Sequence, residues 1–455
     1  MDPAPDTPSV DRLVRALALT TLLLWVGASC ILPLLPEYLR DRGGSDATVG
    51  LVMAAYFVAA LLFQYPAGRL ADRFGRRPVL LAGLAVYAAG SLGFLAGPAP
   101  AVDIVLRGLQ GAGAGSAEVA ALAMISGAVH LERRGRAFGS IYAAQLGGMA
   151  VGPLFGSLVG VGSMAVLFVA AGVAALVACL PALVGPSVAG HDDLAPAAAP
   201  AAGAAAGAAA DGAAAAADGA TADGAADSAA AVVVGHSHGL PALNRSLVGA
   251  VLAAAAFGLT IGVYESCWTL LLDLRHAQDW QIGLSWTLFA VPFVVMARPG
   301  GWLADHLDRR WLAVGALSVS VGLCALYPFL HSLTWLLLLG GLEALATAVS
   351  LPAAQSMLTQ WSPASEAGRV QGLFSTAETG AIAVAAAAGG ALFGLAAWAP
   401  FVAAAAGAAV LTAAVPFVWA PVAGRAAAAH LSVSRPGRPP VGSPGTAPPD
   451  PAGAR

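Results

Sequence analysis

The chain has 455 residues, of which 58% are hydrophobic and 10% are charged, and its mean hydropathy is +0.77. These values lie far outside the range of soluble globular domains and exclude that class. The formal net charge of -3 gives no support for nucleic acid as a partner. The composition therefore indicates an integral membrane protein whose surroundings are a lipid bilayer.

Twelve segments are apolar and long enough to cross the hydrocarbon core, which takes about 20 helical residues. The first six are predicted at 14–35, 47–67, 78–97, 101–129, 137–160 and 163–184. The second six are predicted at 246–272, 280–299, 311–330, 332–359, 369–395 and 396–419. The predicted fold class is an all-α membrane protein with one six-helix bundle at 14–184 and another at 245–419.

Three further segments offer too little bulky apolar surface to build a core. Residues 1–13 form a polar leader without a cleavage site, residues 185–244 an alanine- and glycine-rich linker, and residues 420–455 a proline-rich tail. Such compositions predict disorder for the linker and the tail. The linker histidines His191, His236 and His238 are compatible with metal ligation, but no metal site is predicted.

Fixed positive charge is distributed unevenly along the chain. The 22 lysine and arginine positions are all arginine. With the N-terminus inside the cell, only Arg40, Arg42 and Arg275 fall outside, and Arg107 falls within the membrane. The positive-inside rule therefore predicts that both termini and the linker are cytoplasmic.

A ten-residue pattern occurs twice, as GRLADRFGRR from Gly68 and as GWLADHLDRR from Gly301. The copies lie 301 − 68 = 233 positions apart, and the same offset relates Gly50 to Gly283 and Gly139 to Gly372. A constant register without insertions indicates two duplicated halves with equivalent helices.

This pattern resembles the signature loop between helices 2 and 3 of the major facilitator superfamily, repeated more loosely between helices 8 and 9. The resemblance implies a gate in which Asp72 faces the N-terminus of helix 11 while Arg76 and Arg77 hold the loop. The alternative is that the arginines only anchor a cytoplasmic loop. The predicted gating residues are Gly68, Asp72, Arg73, Gly75, Arg76, Arg77, Asp305, Arg309 and Arg310.

Three more motifs resemble the twelve-helix drug:proton antiporters of that superfamily. Helix 1 carries Gly27, Pro33 and Pro36. Helix 4 carries the run RGLQGAG from Arg107, whose buried arginine is implied to tune proton transfer. Helix 5 resembles the motif associated with antiporters, from which it departs at Ser157, and the matching residues are Gly139, Gly148, Gly152, Pro153 and Gly156.

The helix 5 glycines recur every four residues, so one helix face allows close approach while Pro153 kinks the helix. Such a seam is expected to seal or hinge between the halves, and ordinary small-residue packing is the alternative. At the 233 offset the second half has Ala381, Ala385 and Ala386 instead. The seam is therefore expected to be a specialisation of the first half.

Proton coupling requires a group that changes its protonation inside the membrane. Glu343 and Glu378 lie roughly 15 Å into their helices, near the midplane, and are the leading candidates. Glu265 is expected either to attract a cationic substrate or to be an interfacial acid that faces water. Glu118 is a further acid that could act as a gate, pair with an arginine or line the cavity. The predicted coupling residues are Glu343, Glu378, Arg107, Glu265 and Glu118.

In the superfamily fold, helices 1, 4, 7 and 10 line a central cavity. The additional lining residues that the resemblance implies are Trp25, Ser29, Gln110, Tyr264, Trp268 and Thr347. Helix 1 departs from the family pattern, because it carries no acid at mid-depth where a coupling acid often lies.

The predicted function is secondary active transport by alternating access, with efflux of a small lipophilic or amphipathic compound in exchange for protons. A plasma-membrane monomer without cofactors is expected. No catalytic motif is found, so an enzyme is not expected. The alternatives are a proton-coupled importer or facilitator of a metabolite, and a non-transporting sensor or assembly subunit.

Overall fold

The computed structural model describes residues 7–96, 99–129, 131–184, 245–360 and 367–433. Twelve long helices run through these ranges. The first half contains α1 Thr7–Ile31, α2 Asp46–Phe74, α3 Arg76–Gly93, α4 Pro100–Ala128, α5 Leu131–Val159 and α6 Met164–Val184. The second half contains α7 Arg245–Val263, α8 Asp279–His306, α9 Arg309–Leu326, α10 Leu333–Gln360, α11 Ala367–Leu395 and α12 Ala399–Val433. The predicted all-α class is confirmed.

Two helices have short continuations. After α1, the helix Leu35–Asp41 begins with Pro36 in its first turn. After α7, the chain forms a π-helical turn, Tyr264–Trp268, and a last α-helical turn, Thr269–Asp273. Within the described residues, eight helices including these continuations are long and apolar enough to span a membrane. α4 is not among them, since Asp103, Arg107 and Glu118 lower its hydropathy.

Local sequence explains several helix ends. Ser45 caps α2 by accepting a hydrogen bond from the Thr48 N–H at 3.2 Å, and Asp308 caps α9 in the same way through Arg310. Gly75 joins α2 to α3 with φ of 93°, a backbone conformation that favours glycine. Pro100 occupies the first turn of α4, where no intrahelical donor is lost.

The end of the second bundle differs from the sequence prediction. α12 continues to Val433, so the first part of the predicted disordered tail at 420–455 is helical. The alanine run around Arg425 has high helix propensity, which accounts for this extension. The N-terminal segment is also helical from Thr7. The predicted linker at 185–244 and the rest of the tail lie outside the described residues.

The outside of the protein is apolar, whereas its interior is rich in small residues. Tyr65, Leu158 and Phe417 are 73%, 78% and 79% exposed, while alanines and glycines fill the contacts between helices. This is the reverse of a soluble protein and suits helices that pack through small residues while large side chains face lipid.

Two helix pairs join the halves, α2 with α11 and α5 with α8. In the first pair, a Cβ on Gly50 would lie 2.9 Å from the Gly390 Cα. In the second pair, Gly283 abuts Ser157. Since 50 + 233 = 283 and 157 + 233 = 390, these are the same contact in the two repeats. The internal duplication is therefore expressed in the packing between the halves.

The face that carries residues 42–45 and 274–278 is called the outer face here, following the orientation predicted from the arginines. Close to it, the Thr269 hydroxyl donates to the Pro33 carbonyl at 2.6 Å, across the two halves. Arg40 contacts Asp46 at 2.7 Å in its own half and Asp273 at 3.8 Å in the other. The halves are thus held together toward the outer face.

Candidate functional site

A cavity of about 300 Å³ lies between the two halves. Each half contributes to its wall, which is mainly aromatic and aliphatic with few polar groups. The aromatic lining residues are Trp25, Tyr56, Phe57, Tyr142, Phe257, Tyr264, Trp268, Trp286, Phe289 and Tyr327. The ionisable lining residues besides tyrosine are Arg107, Glu265, Glu343 and Glu378. A wall of this kind suits a small molecule with a large apolar surface.

The π-helical turn Tyr264–Trp268 contributes three residues to the cavity wall. These residues are Tyr264, Glu265 and Trp268. The Trp268 ring packs edge-on against Tyr264 at 5.8 Å and Tyr327 at 5.1 Å, and its indole N–H donates to Ser285 at 2.9 Å. Such π-bulges inside α-helices occur frequently at functional sites.

Glu343 on α10 lies in a pocket of hydroxyl groups and is 2% exposed. Tyr264 donates to its Oε1 at 2.8 Å, Ser320 of α9 donates to Oε1 at 2.5 Å, and Tyr327 donates to Oε2 at 2.6 Å. No cation forms an ion pair with it within the described residues. Hydroxyl groups alone therefore hold this buried carboxyl.

Arg107 on α4 is also 2% exposed. Its Nη1 donates to Gln110 at 2.8 Å, and the Gln110 amide in turn donates to Ser91 at 3.0 Å. The guanidinium lies over the Tyr56 ring, 4.6 Å from the ring centre. Its Nε has no hydrogen-bond partner among the residues that the structure describes. In the described part of the chain, no carboxylate lies within ion-pair distance of this cation.

Glu265 lies in the opposite half from Arg107 and is 8% exposed. Its Oε2 is buried without a hydrogen-bond partner among the described residues. Of the two alternatives for this residue, its burial at the cavity wall favours a role toward substrate over a water-facing interfacial acid. Glu265 and Arg107 face the same space from different halves of the protein.

The other predicted residues fall into two groups. Trp25, Ser29, Tyr264, Trp268 and Glu378 line the cavity. Gln110 and Thr347 do not: Gln110 is fully buried behind Arg107, and the Thr347 hydroxyl donates to the Glu343 carbonyl one turn away. Glu118 lies in a separate small cavity beside Tyr142 and Gln145.

Comparison with known families decides the identity of this architecture. The family model described as Major Facilitator Superfamily matches residues 17–276 and again residues 243–444. The chain belongs to the major facilitator superfamily. It is accordingly a multi-pass membrane protein, and the predicted family is confirmed.

Several curated relatives within the superfamily match over part of their length. The Escherichia coli inner membrane transport protein YajR is 39% identical over 119 residues, 26% of each chain. The Streptomyces alboniger puromycin resistance protein pur8 is 40% identical over 126 residues, 27% of this chain and 25% of the relative. The Staphylococcus aureus quinolone resistance protein NorA is 24% identical over 175 residues, 38% of this chain and 45% of the relative. The matches thus span less than half of these proteins.

Among solved structures, the human organic anion transporter MFSD10 (TETRAN) superposes with a TM-score of 0.60 at 21% identity. The superposition covers 90% of this chain and 100% of that one. At this identity it shows the common superfamily fold.

The glycines of the helix 5 motif were expected to form a seam between the two halves, but they lie elsewhere. Gly148, Gly152 and Gly156 of α5 face Trp25, Ser29 and Cys30 of α1, in the same half. They do not form the seam between halves, because the contact with α8 is made by Ser157 and the Pro153 carbonyl one helix face away. Ser157, the motif position that departs from the family pattern, is therefore the one that contacts the other half.

The second half has not lost this close approach. Gly258 and Gly262 of α7 abut Glu378, Ala381, Ile382 and Ala385 of α11. A Cβ on Gly262 would lie 2.7 Å from the Ala385 Cβ. Glycine has moved from one helix of the pair to the other, so the expected specialisation of the first half was wrong. The sequence of α11 alone does not reveal this close approach, because the glycines of the second half lie on α7.

The described side chains include only part of the predicted gating loop between α2 and α3 and of its second copy. The Arg76 guanidinium lies against Gly127 of α4, and Arg73 lies over the Phe74 ring at 5.1 Å. Gly68 is buried in α2, and Arg77 has an interaction partner. In the second copy, Arg310 lies over Trp311 at 4.8 Å. The side chains of Asp72, Asp305 and Arg309 lie outside the described part, so the gate stays a prediction.

Several cavity residues were not anticipated from the sequence. Tyr142, Met149, Trp286 and Phe289 belong to α5 and α8, helices that were not expected to line the site. Ser320 and Tyr327, which hold Glu343, belong to α9 and the turn after it. The 233 offset pairs Ser320 with Tyr87 and Tyr327 with Phe94. These differences between the halves are the sequence signal that could have identified the two residues.

Proposed function

We propose that this transporter exports a small lipophilic or amphipathic compound in exchange for protons by alternating access. The observation that carries the proposal is the Glu343 carboxyl, which is buried at the cavity wall and held by three hydroxyl groups. Antiport needs a group of this kind, because a coupling proton must be taken up and released inside the membrane.

Two opposing effects make Glu343 suitable as a proton carrier. Burial in a low-dielectric medium favours the neutral carboxylic acid, while hydroxyl donors stabilise the carboxylate. The same hydroxyl groups can accept from the protonated acid, because a hydroxyl is both donor and acceptor. Either form is accommodated without a cation, so proton uptake requires no large rearrangement. Glu378 is the second candidate, since it lines the cavity from α11.

The arrangement of the halves supports the proposal of alternating access. The inter-half contacts at Thr269, Arg40 and Gly50 close the cavity toward the outer face. We infer an inward-facing arrangement, in which substrate enters from the cytoplasm or the inner leaflet. Rocking the bundles about the α2–α11 and α5–α8 contacts would open these outer contacts and release substrate.

The aromatic wall favours an apolar or amphipathic substrate. The names of two relatives, a puromycin resistance protein and a quinolone resistance protein, support export of such compounds. Both matches cover only part of those proteins, so the substrate assignment rests on the cavity. The positive-inside pattern of arginines supports a plasma-membrane location with cytoplasmic termini, and we propose that the protein acts as a monomer.

The proposal is tested by reconstituting the full chain in vesicles that contain a pH-sensitive dye. A proton gradient is imposed, and lipophilic cations, neutral antibiotics and sugars are added in turn. Substrate-dependent proton flow opposite to substrate is the expected result. Proton flow with the substrate would make the protein an importer instead, and substrate movement without proton flow would make it a facilitator. A panel that moves neither would contradict export of this class.

A further inference from the structure

Two ionisable side chains of the cavity wall, one from each half, carry a polar atom without a hydrogen-bond partner among the described residues. These atoms are the Arg107 Nε and the Glu265 Oε2, and both residues are more than nine-tenths buried. The Arg107 Nη1 donates to Gln110, but within the described residues this cation has no counter-charge. Both line the same cavity. Leaving charged groups unsatisfied inside a membrane protein is costly, so such groups are retained where something else completes them.

The two charges do not complete one another in this arrangement. No ion pair joins them within the described residues. Glu343 forms no ion pair with Arg107 within the described residues, and its oxygens accept from three hydroxyl groups. Arg107 and Glu265 are both part of the wall of the aromatic cavity.

We propose that the substrate is a zwitterion with an aromatic body, whose anionic group binds Arg107 and whose cationic group binds Glu265. The inference rests on the proposed transport function and adds a chemical class to it. Guanidinium nitrogens donate to a carboxylate or phosphonate in charge-assisted hydrogen bonds, and Glu265 accepts from an ammonium group. Trp268, Tyr264 and Tyr56 flank these ends and can stack on the ring system between them.

Binding a zwitterion also explains why the charges come from different halves. A ligand that contacts both Arg107 of α4 and Glu265 of the α7 continuation bridges the two bundles. It removes two unsatisfied charges at once, which a singly charged ligand cannot do. Glu343 then remains available for the proton, so substrate and proton use different acids.

The test is equilibrium binding of a matched biphenyl series to the full chain in lipid nanodiscs, measured by thermophoresis without a proton gradient. The four probes are 4'-(aminomethyl)biphenyl-4-carboxylate, the amine alone, the carboxylate alone and unsubstituted biphenyl. We expect the zwitterion to bind about tenfold or more tightly than either singly charged probe. Equal affinity for the zwitterion and the amine, or no binding of the zwitterion, would overturn the inference.

Two variants assign the ends of the ligand. Arg107→Met should weaken the zwitterion and the carboxylate probe about tenfold and leave the amine probe unchanged. Glu265→Gln should weaken the zwitterion and the amine and spare the carboxylate. A variant that weakens all four probes by the same factor would indicate lost structure and contradict the assignment. Arg42→Met and Asp41→Asn, which remove exposed charges near the outer face, are the matched controls.

The binding assay separates this inference from the proposed function. Failure of the charge preference together with proton-exchange activity in vesicles would reject the zwitterion and leave antiport standing. The charge preference without proton exchange would leave the substrate class standing and reject proton coupling.

Discussion

Each half buries a polar side chain in the membrane at an equivalent position, but the two side chains are stabilised in different ways. Gln110 and Glu343 lie 233 residues apart. In the first half, Gln110 is neutral and serves as an acceptor for the Arg107 cation. In the second half, Gly340 replaces that arginine, and Glu343 is surrounded by hydroxyl groups instead.

The neighbours changed together with the central residue. Ser320 and Tyr327, which donate to Glu343, occupy the positions of Tyr87 and Phe94. A carboxylate beside an arginine would form a fixed ion pair, whereas a carboxyl beside hydroxyl groups can gain or lose a proton. Under the proposed function, the duplication separates a permanent positive charge in one half from a proton-carrying group in the other.

The largest expected effect comes from making the halves alike at this position. Glu343→Gln copies Gln110 and keeps the side-chain shape but removes the titrating group. We expect substrate-driven proton flow in dye-loaded vesicles to fall to the level of empty vesicles, while substrate binding is retained. Retained proton flow would transfer the coupling role away from Glu343, and Glu378→Gln is the next variant to measure.

A second prediction concerns the exchanged glycines. In the first half Gly152 of α5 abuts Ser29 of α1, whereas in the second half Ala385 of α11 abuts Gly262 of α7. Gly152→Ala should lower the free energy of unfolding by about 1–3 kcal/mol, because the added Cβ has no space. Adding Ser29→Gly, which copies the second half, should restore at least half of that loss.

Thermal unfolding in detergent measures both variants. Gly322→Ala in α9, where a Cβ meets nothing within 4 Å, is the control and should not destabilise. An uncompensated double variant would show that the close approach of α1 and α5 is set by the neighbouring Val26 carbonyl and not by the side-chain pair.

A third prediction removes one hydroxyl group from Glu343. Tyr327→Phe copies Phe94 of the first half and deletes the donor to Oε2. A hydrogen bond to a charged group contributes about 1.5–3 kcal/mol, so the carboxylate is less stabilised and proton-coupled transport should slow about tenfold. Initial rates in vesicles measure this, with Tyr38→Phe near the outer face as the control. An unchanged rate would mean that Ser320 and Tyr264 suffice.

The smallest effect is expected at the outer face. Arg40 and Asp273 are themselves equivalent positions, since 40 + 233 = 273, and their opposite charges join the halves at 3.8 Å. Both are partly exposed, so Asp273→Asn should change the unfolding free energy by less than about 1 kcal/mol, and less at high salt. A larger loss that persists in high salt would show that this pair is a principal latch between the halves.

The sequence by itself determined the fold of this protein. Hydrophobic length located the twelve helices, because a membrane helix must satisfy its own backbone. It did not locate every end: α12 extends to Val433, and α1, α2, α5 and α8 are each six or seven residues longer than predicted at one end. The repeat predicted which helices are equivalent, and depth along a helix identified Glu343 and Glu378. These features depend only on local composition and on position along the chain.

Only the tertiary structure decided how these residues are used. Glu265 lies in the π-helical turn at the cavity wall. Ser320 of α9 and Tyr327 of the turn after it donate hydrogen bonds to Glu343. The rotation of α5 directs Gly148 and Gly152 to α1 and leaves Ser157 for α8. A helix that is apolar on every side carries little periodic signal about which face points inward, so these orientations are set by neighbouring helices.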